Sequence, residues 1–261
     1  MAEGIQIWAA PTERCDDAAL RQAYIALLSD EEAARWRAFA FDRDRHVYLV
    51  ARALARTVLG EALGMNPASI EFQHGPYGKP SLRGAAAGAG LRFNLSHTKG
   101  MVALALARDR ELGVDVEGVE RRAALDVAWE NFSRDEAREL SARQGQAQAD
   151  RFWTLWTLKE AYLKALGCGL SAPLDCISFV DDDQGGLRYA RRGSGHADDG
   201  RWHFWHGVLA GTHAVSLCAG AREGEEAPEL ILHETVPLLA AREVPFLPAL
   251  GPIREEGTAS S

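Results

Sequence analysis

A chain of 261 residues with 37 acidic and 29 basic side chains carries a net charge of −8, which argues against general affinity for nucleic acid. Its content, 47% hydrophobic and 25% charged, suits a soluble globular protein with a sizeable core. The longest apolar stretch, residues 101–107, is too short to span a bilayer, so no membrane association is expected.

The start, MAEGIQIWAA, has no secretory pattern. Cys15, Cys168, Cys176 and Cys218 are scattered with no CxxC pair, which points to reduced thiols, no structural zinc and a cytoplasmic location. Residues 5–9 read as a short strand. Ser29 opens SDEEAA, an N-cap with acids in the first helical turn. Residues 35–63 read as two helices broken near Asp42. Between Arg35 and Arg56, arginines 35, 37, 43, 45, 52 and 56 face only Asp42 and Asp44, and six minus two leaves a local charge of +4. Most of the six are expected on a solvated face, with one or two available to anions.

His74-Gly75-Pro76-Tyr77-Gly78-Lys79-Pro80 reads as a tight loop presenting one ammonium. Residues 85–90, all Ala and Gly, read as a flexible surface turn. RFNLSHTKG (92–100) leads into the apolar stretch as a hairpin. It places Ser96, His97 and Thr98 at the turn, with donors for phosphate oxygens. No GxSxG elbow occurs, so a Ser-His-Asp hydrolase is not supported.

Gly113-Val114-Asp115-Val116-Glu117 reads as a strand with Asp115 and Glu117 on one face. Ser133 and Glu136 form a capping box, and 144–150 reads as a polar linker. Residues 152–166 then form a helix closed by Gly167 in the left-handed cap. Phe152, Leu155, Tyr162 and Leu166 make its core stripe. Trp156, Glu160 and Lys164, at i, i+4 and i+8, share another face beside Lys159. By itself that face reads as a Glu160–Lys164 surface pair. Asp115, Glu117 and Glu160 together make three oxygen ligands for a hard cation of the Mg²⁺ type, which also wants a phosphate. Residues 202–219 read as strand, turn and strand around Gly211, with His203 and His206 on opposite faces in structural roles. A Gly/Asp-rich loop spans 181–200, and the chain beyond 221 reads as a tail whose last residues are disordered.

GVDVE followed by WTLKEAYLKALGCGL resembles the signature of the Sfp-type 4′-phosphopantetheinyl transferases. An arginine after an acidic helix start, a GKP loop and an FNLSH turn precede the pair in the family's order, so the resemblance runs from about residue 31 to 170. It implies an α+β fold of two similar α/β halves with pseudo-twofold symmetry, each an antiparallel sheet packed with helices. The halves would be residues 1–109 and 110–221, followed by a partly disordered tail, 222–261. The implied reaction moves 4′-phosphopantetheine from coenzyme A to a serine of an apo acyl or peptidyl carrier protein, releasing 3′,5′-ADP.

Carried over residue by residue, Arg35 and the loop His74, Gly75, Pro76, Tyr77, Gly78 and Lys79 would hold the 3′-phosphate and adenine end. Asn94, Leu95, Ser96 and His97 would lie along the phosphates. Asp115, Glu117 and Glu160 would hold Mg²⁺, with Mn²⁺ as a substitute. Lys164 would sit over the reacting phosphate, with Lys159 and Asp115 also on the coenzyme A side. Glu160, Lys164 and His97 would be catalytic. Thr98 keeps the hydroxyl of a serine common in the family, and Cys168 stands where lysine is frequent. The length also implies a monomer, both halves of the site being in one chain. Two rivals are a Mg²⁺-dependent nucleotide phosphohydrolase and a non-catalytic relative that only binds carrier proteins.

Overall fold

A computed structural model describes residues 4–169, 172–182, 185–191, 201–222, 224–250 and 253–255. Its elements run in one order twice. The first pass is β1 (Ile5–Pro11), helices α1 (Ala18–Leu27) and α2 (Asp30–Ala38), the long helix α3 (Asp42–Leu63), a short strand pair β2 (Phe72–His74) and β3 (Pro80–Leu82), and a long hairpin β4 (Leu91–Thr98) and β5 (Met101–Arg108). The second is β6 (Leu112–Gly118), α4 (Leu125–Asn131), α5 (Arg134–Ser141), the long helix α6 (Gly145–Leu166), the pair β7 (Ile177–Asp181) and β8 (Leu187–Arg191), and the hairpin β9 (Arg201–Leu209) and β10 (His213–Ala221). The strand orders repeat as well, β1-β5-β4 and β6-β10-β9. Both long helices end on a left-handed glycine, Gly64 at φ 65° and Gly167 at φ 69°, a conformation that glycine adopts without steric cost.

Side-chain alternation stacks these parts into four layers. Val102, Leu104 and Leu106 of β5 pack on α3, while Met101, Ala103, Ala105 and Ala107 meet Val114, Val116, Val215 and Leu217 of the second sheet. That sheet's other face, with Ala214, Cys218 and Phe204, packs on α6. Gly113 lets β6 approach α6: a Cβ there would lie 2.1 Å from the Ala161 carbonyl oxygen and 2.4 Å from the Ala165 nitrogen. The same alternation turns Asp115 and Glu117 toward α6.

Several expectations change. The stretch 144–150 is not a linker but the first turns of α6, whose polar, solvated side chains mask the helical pattern. Residues 84–86 form a 3₁₀ turn with Ala86 buried, so 85–90 is not wholly surface. Ser96, His97 and Thr98 lie within β4; the turn is Lys99-Gly100, with Gly100 at φ 91°. The segment after 221 is not simply a tail. β11 (Leu230–Val236) pairs parallel with β1, and β12 (Ala240–Val244) extends that sheet, making it mixed rather than antiparallel. β13 (Ile253–Glu255) pairs with β8. Residues 183–184 and 192–200 of the expected loop, and the last residues, lie outside the described residues. Among the described residues no helix is long and apolar enough to cross a membrane.

Candidate active site

The two sheets meet along the edges β4 and β6, joined by side chains rather than by a backbone ladder. Asn94 Oδ1 accepts the Val114 N–H at 2.9 Å. Ser96 Oγ accepts the Val116 N–H at 3.3 Å and donates to Asp115 Oδ1 at 2.9 Å. Thr98 Oγ1 donates to Glu117 Oε2 at 3.0 Å. Alternate residues of the FNLSHT stretch thus hold the successive residues Val114 to Glu117, and Asn94 acts as a seam residue, 4% exposed.

From α6, Trp156, Glu160 and Lys164 are its half-buried positions, on a helix otherwise buried from Arg151 to Ala165. The ion pair formed is not Glu160–Lys164. Lys164 Nζ donates to Asp115 Oδ1 at 2.6 Å and to Ser96 Oγ at 2.8 Å. Burial, and then the Asp115 charge, raise the pKa of both Glu160 and Glu117 above the usual carboxylate value. Arg121, 2.8 Å from Glu117, and Lys164 oppose the shift at Glu117. Partial desolvation, and then the Lys164 ammonium, lower the pKa of His97, with Arg52 and Arg35 adding to the effect. His97 is thus within electrostatic reach of Lys164, Arg52 and Arg35. Among the described residues no three His, Cys, Asp or Glu side chains are gathered tightly enough to hold a metal as they stand. Asp115, Glu117 and Glu160 are in electrostatic reach of one another, with Asp115 Oδ1 taken by Lys164.

The Gly75–Lys79 loop is a closed turn, with the Gly78 N–H on the Gly75 carbonyl at 2.9 Å and Gly78 at φ 82°. Lys79 Nζ donates to Glu111 Oε2 at 3.0 Å and to the Ala165 carbonyl near the end of α6 at 2.9 Å. Favourable charge at a helix C-terminus strengthens that contact. Lys79, Gly75, Pro76, Arg92, Glu111 and Gly167 line a cleft of about 430 Å³. Arg35, Tyr48, Arg52, Phe72, His74 and Arg83 line a second cavity of about 400 Å³. Gln73 borders the first and its neighbours Phe72 and His74 the second, so β2 divides them. Arg35 and Lys79, expected at one phosphate, therefore line different cavities.

Lys159 does not belong to the site. It is fully buried, 2.9 Å from the equally buried Glu136, and donates to the carbonyls of Leu174 and Ile177. Burial lowers its pKa while Glu136 opposes the shift. Glu136 completes its capping box with Ser133 and accepts the Phe179 N–H at 2.8 Å. His206, buried on β9, joins Ser216 at 2.9 Å and Thr154 at 3.2 Å, which bears out a structural role.

Sequence reasoning left Arg52, Arg92 and Glu111 unassigned. Arg52 is 8% exposed, and among the described residues its Nε and Nη2 have no hydrogen-bond partner, Glu32 being 3.5 Å away. The Tyr48-Arg52-Arg56 spacing of i, i+4 and i+8 carried that signal. Arg56 is a core residue, paired to Glu32 at 2.8 Å and donating to the carbonyls of Pro67, Ala68 and Ile70.

Two family models match the chain: the 4′-phosphopantetheinyl transferase superfamily over residues 111–218, and the N-terminal part of 4′-phosphopantetheinyl transferase over 16–109. A 4′-phosphopantetheinyl transferase of Bacillus subtilis is 34% identical over 161 residues, 62% of this chain and 70% of that protein. A phosphopantetheinyl transferase of Thraustochytrium sp. (strain ATCC 26185 / S-3) is 34% identical over 226 residues, 81% of this chain and 77% of that protein. The 4′-phosphopantetheinyl transferase HetI of Nostoc sp. is 31% identical over 172 residues, 66% of this chain and 72% of that protein.

Proposed function

The chain belongs to the 4′-phosphopantetheinyl transferase superfamily, and from that premise we propose how its seam carries out the reaction. The enzyme moves the 4′-phosphopantetheine of coenzyme A onto a serine hydroxyl of an apo acyl or peptidyl carrier protein and releases 3′,5′-ADP. The observation that carries the reading is the meeting of Lys164, Ser96 and Asp115 within 2.6–2.9 Å where the two halves join, with Glu117 and Glu160 held in electrostatic contact with Asp115. The family assignment favours transfer over the hydrolase and non-catalytic alternatives.

The residues present suit a divalent cation. Asp115 Oδ2 is buried with no hydrogen-bond partner among the described residues, and the Asp115 charge raises the pKa of both Glu117 and Glu160. Carboxylates in mutual repulsion, one with an oxygen to spare, form the donor set of a hard ion such as Mg²⁺, with Mn²⁺ as a substitute. Asp115, Glu117 and Glu160 would hold it, and when bound it neutralises charge on the pyrophosphate. Lys164 then donates from its place beside Ser96 to an oxygen of the transferring phosphoryl group. Glu160 takes the serine proton through one water.

The two cavities divide the donor's charges. Lys79 and Arg92 already hold a planar anion between them, so that cleft takes the 3′-phosphate. His97 is within electrostatic reach of Lys164 and of Arg52 and Arg35, which line the second cavity, so that side would take the pyrophosphate. Both halves lie in one chain, which makes a monomer sufficient, and no disulfide joins the four cysteines, as suits the cytoplasm. The test is release of 3′,5′-ADP with and without apo carrier protein. Release that requires the carrier supports transfer; equal release without it would mean hydrolysis.

A further inference from the structure

Glu111 stands immediately before β6, and its carboxylate is held from two directions. Lys79 Nζ lies 3.0 Å from Oε2 and Arg92 Nε lies 3.3 Å from Oε1. All three side chains line the 430 Å³ cleft. Two cations converging on the two oxygens of one planar anion is how proteins bind carboxylates and phosphates. Lys79 is also fixed by the Ala165 carbonyl, whereas the Glu111 side chain is 55% exposed. Exposed ion pairs are weak, so Glu111 is the movable member of the cluster.

We propose that the Glu111 carboxylate is a resident substitute for a phosphate of the donor. It occupies the Lys79–Arg92 clasp in the unliganded protein and swings outward when the phosphate enters. The inference rests on the assignment of Lys79 and Arg92 to the 3′-phosphate above and gives a role to Glu111, which that assignment left without one. A phosphate monoester brings nearly two charges and three acceptor oxygens, so it displaces a single carboxylate. Glu111 then sets the affinity for the donor, and by returning to the clasp it speeds departure of 3′,5′-ADP. A purely structural Glu111, pinning Lys79 in place, would act with the opposite sign: removing it would loosen Lys79 and weaken binding.

The test is calorimetry of the full chain with 3′,5′-ADP and with 5′-AMP, which lacks the 3′-phosphate. Glu111→Gln should bind 3′,5′-ADP at least threefold tighter and 5′-AMP as the unaltered protein does. Arg92→Ala should bind 3′,5′-ADP at least threefold more weakly. A Glu111→Gln protein with a normal melting temperature and unchanged or weaker 3′,5′-ADP binding would overturn the proposal. Lys79→Ala separates the two levels. If it loses the preference for 3′,5′-ADP while Glu111→Gln changes nothing, the Lys79 assignment stands and the Glu111 role falls. If Lys79→Ala keeps that preference in full, the assignment falls and the Glu111 role with it.

Discussion

Lys164 Nζ lies 2.6 Å from Asp115 Oδ1, so the ammonium of α6 is committed to the facing strand and not to Glu160 one turn earlier on its own helix. Asp115 is 4% exposed. Removing the ammonium leaves a buried carboxylate with Ser96 as its remaining hydrogen-bond partner. Loss of one member of a buried pair costs roughly 3–5 kcal/mol, and the partial exposure of Lys164 reduces this to about 2 kcal/mol. Lys164→Ala should therefore unfold at lower denaturant and lose transfer. Lys164→Ala/Asp115→Asn should recover stability but not activity. Chemical denaturation of both variants checks this, and an unchanged midpoint for the single variant would contradict it.

The separation of Arg35 and Lys79 into two cavities makes a second prediction. Arg35→Ala should weaken coenzyme A and dephospho-coenzyme A by similar factors, since both carry the pyrophosphate. Charge-assisted contacts contribute roughly 1.5–3 kcal/mol, so the loss should be at least tenfold for each donor, read by calorimetry. A loss confined to coenzyme A would place Arg35 at the 3′-phosphate instead.

Lys159 supplies a third. Its ammonium and the Glu136 carboxylate are both fully buried, so Lys159→Met leaves an unpaired buried charge and should cost roughly 3–5 kcal/mol. Lys159→Met/Glu136→Gln should be the more stable of the two variants. Because Lys159 faces the core and not the cleft, the folded fraction of Lys159→Met should bind coenzyme A normally. A raised Kd in protein shown by circular dichroism to be folded would return Lys159 to the site.

His206 links stability to pH. Burial, and then Arg151, push its pKa down from 6.5 to about 4. The unfolded chain therefore binds the proton more readily than the folded one. The contribution is complete above pH 6.5 and is lost as pH falls from there toward 4. Across that window the loss amounts to about 3 kcal/mol. Denaturation at a series of pH values should show the slope, and His206→Gln should flatten it. An equally steep slope in the variant would assign the dependence to other groups.

Much of this was legible in the sequence. The spacing of Trp156, Glu160 and Lys164 gave one face of α6, and the alternation of Asp115 and Glu117 gave one face of β6, because both follow from backbone geometry. Which partner each charged group takes was not legible. The pairs Lys164–Asp115, Lys159–Glu136 and Lys79–Glu111 join residues 49, 23 and 32 apart, and only the packed sheets bring them together. Lys159 looked like a site residue because it adjoins Glu160, yet one step along a helix turns a side chain by about 100°, here from the cleft into the core. Strand β11 was hidden because its partner, β1, lies at the other end of the chain, and β13 because it pairs back onto β8.

Asp115, Glu160 and Lys164 are the residues proposed to transfer phosphopantetheine. The most direct test of that role is the intact mass of an apo carrier protein after incubation with the enzyme, coenzyme A and Mg²⁺. The unaltered chain should add one phosphopantetheine group to the carrier. Folded Asp115→Ala and Glu160→Ala proteins should add none, since each removes a carboxylate from the cation's donor set. Near-normal modification of the carrier by either variant would contradict the account, as would an unmodified carrier with the unaltered chain.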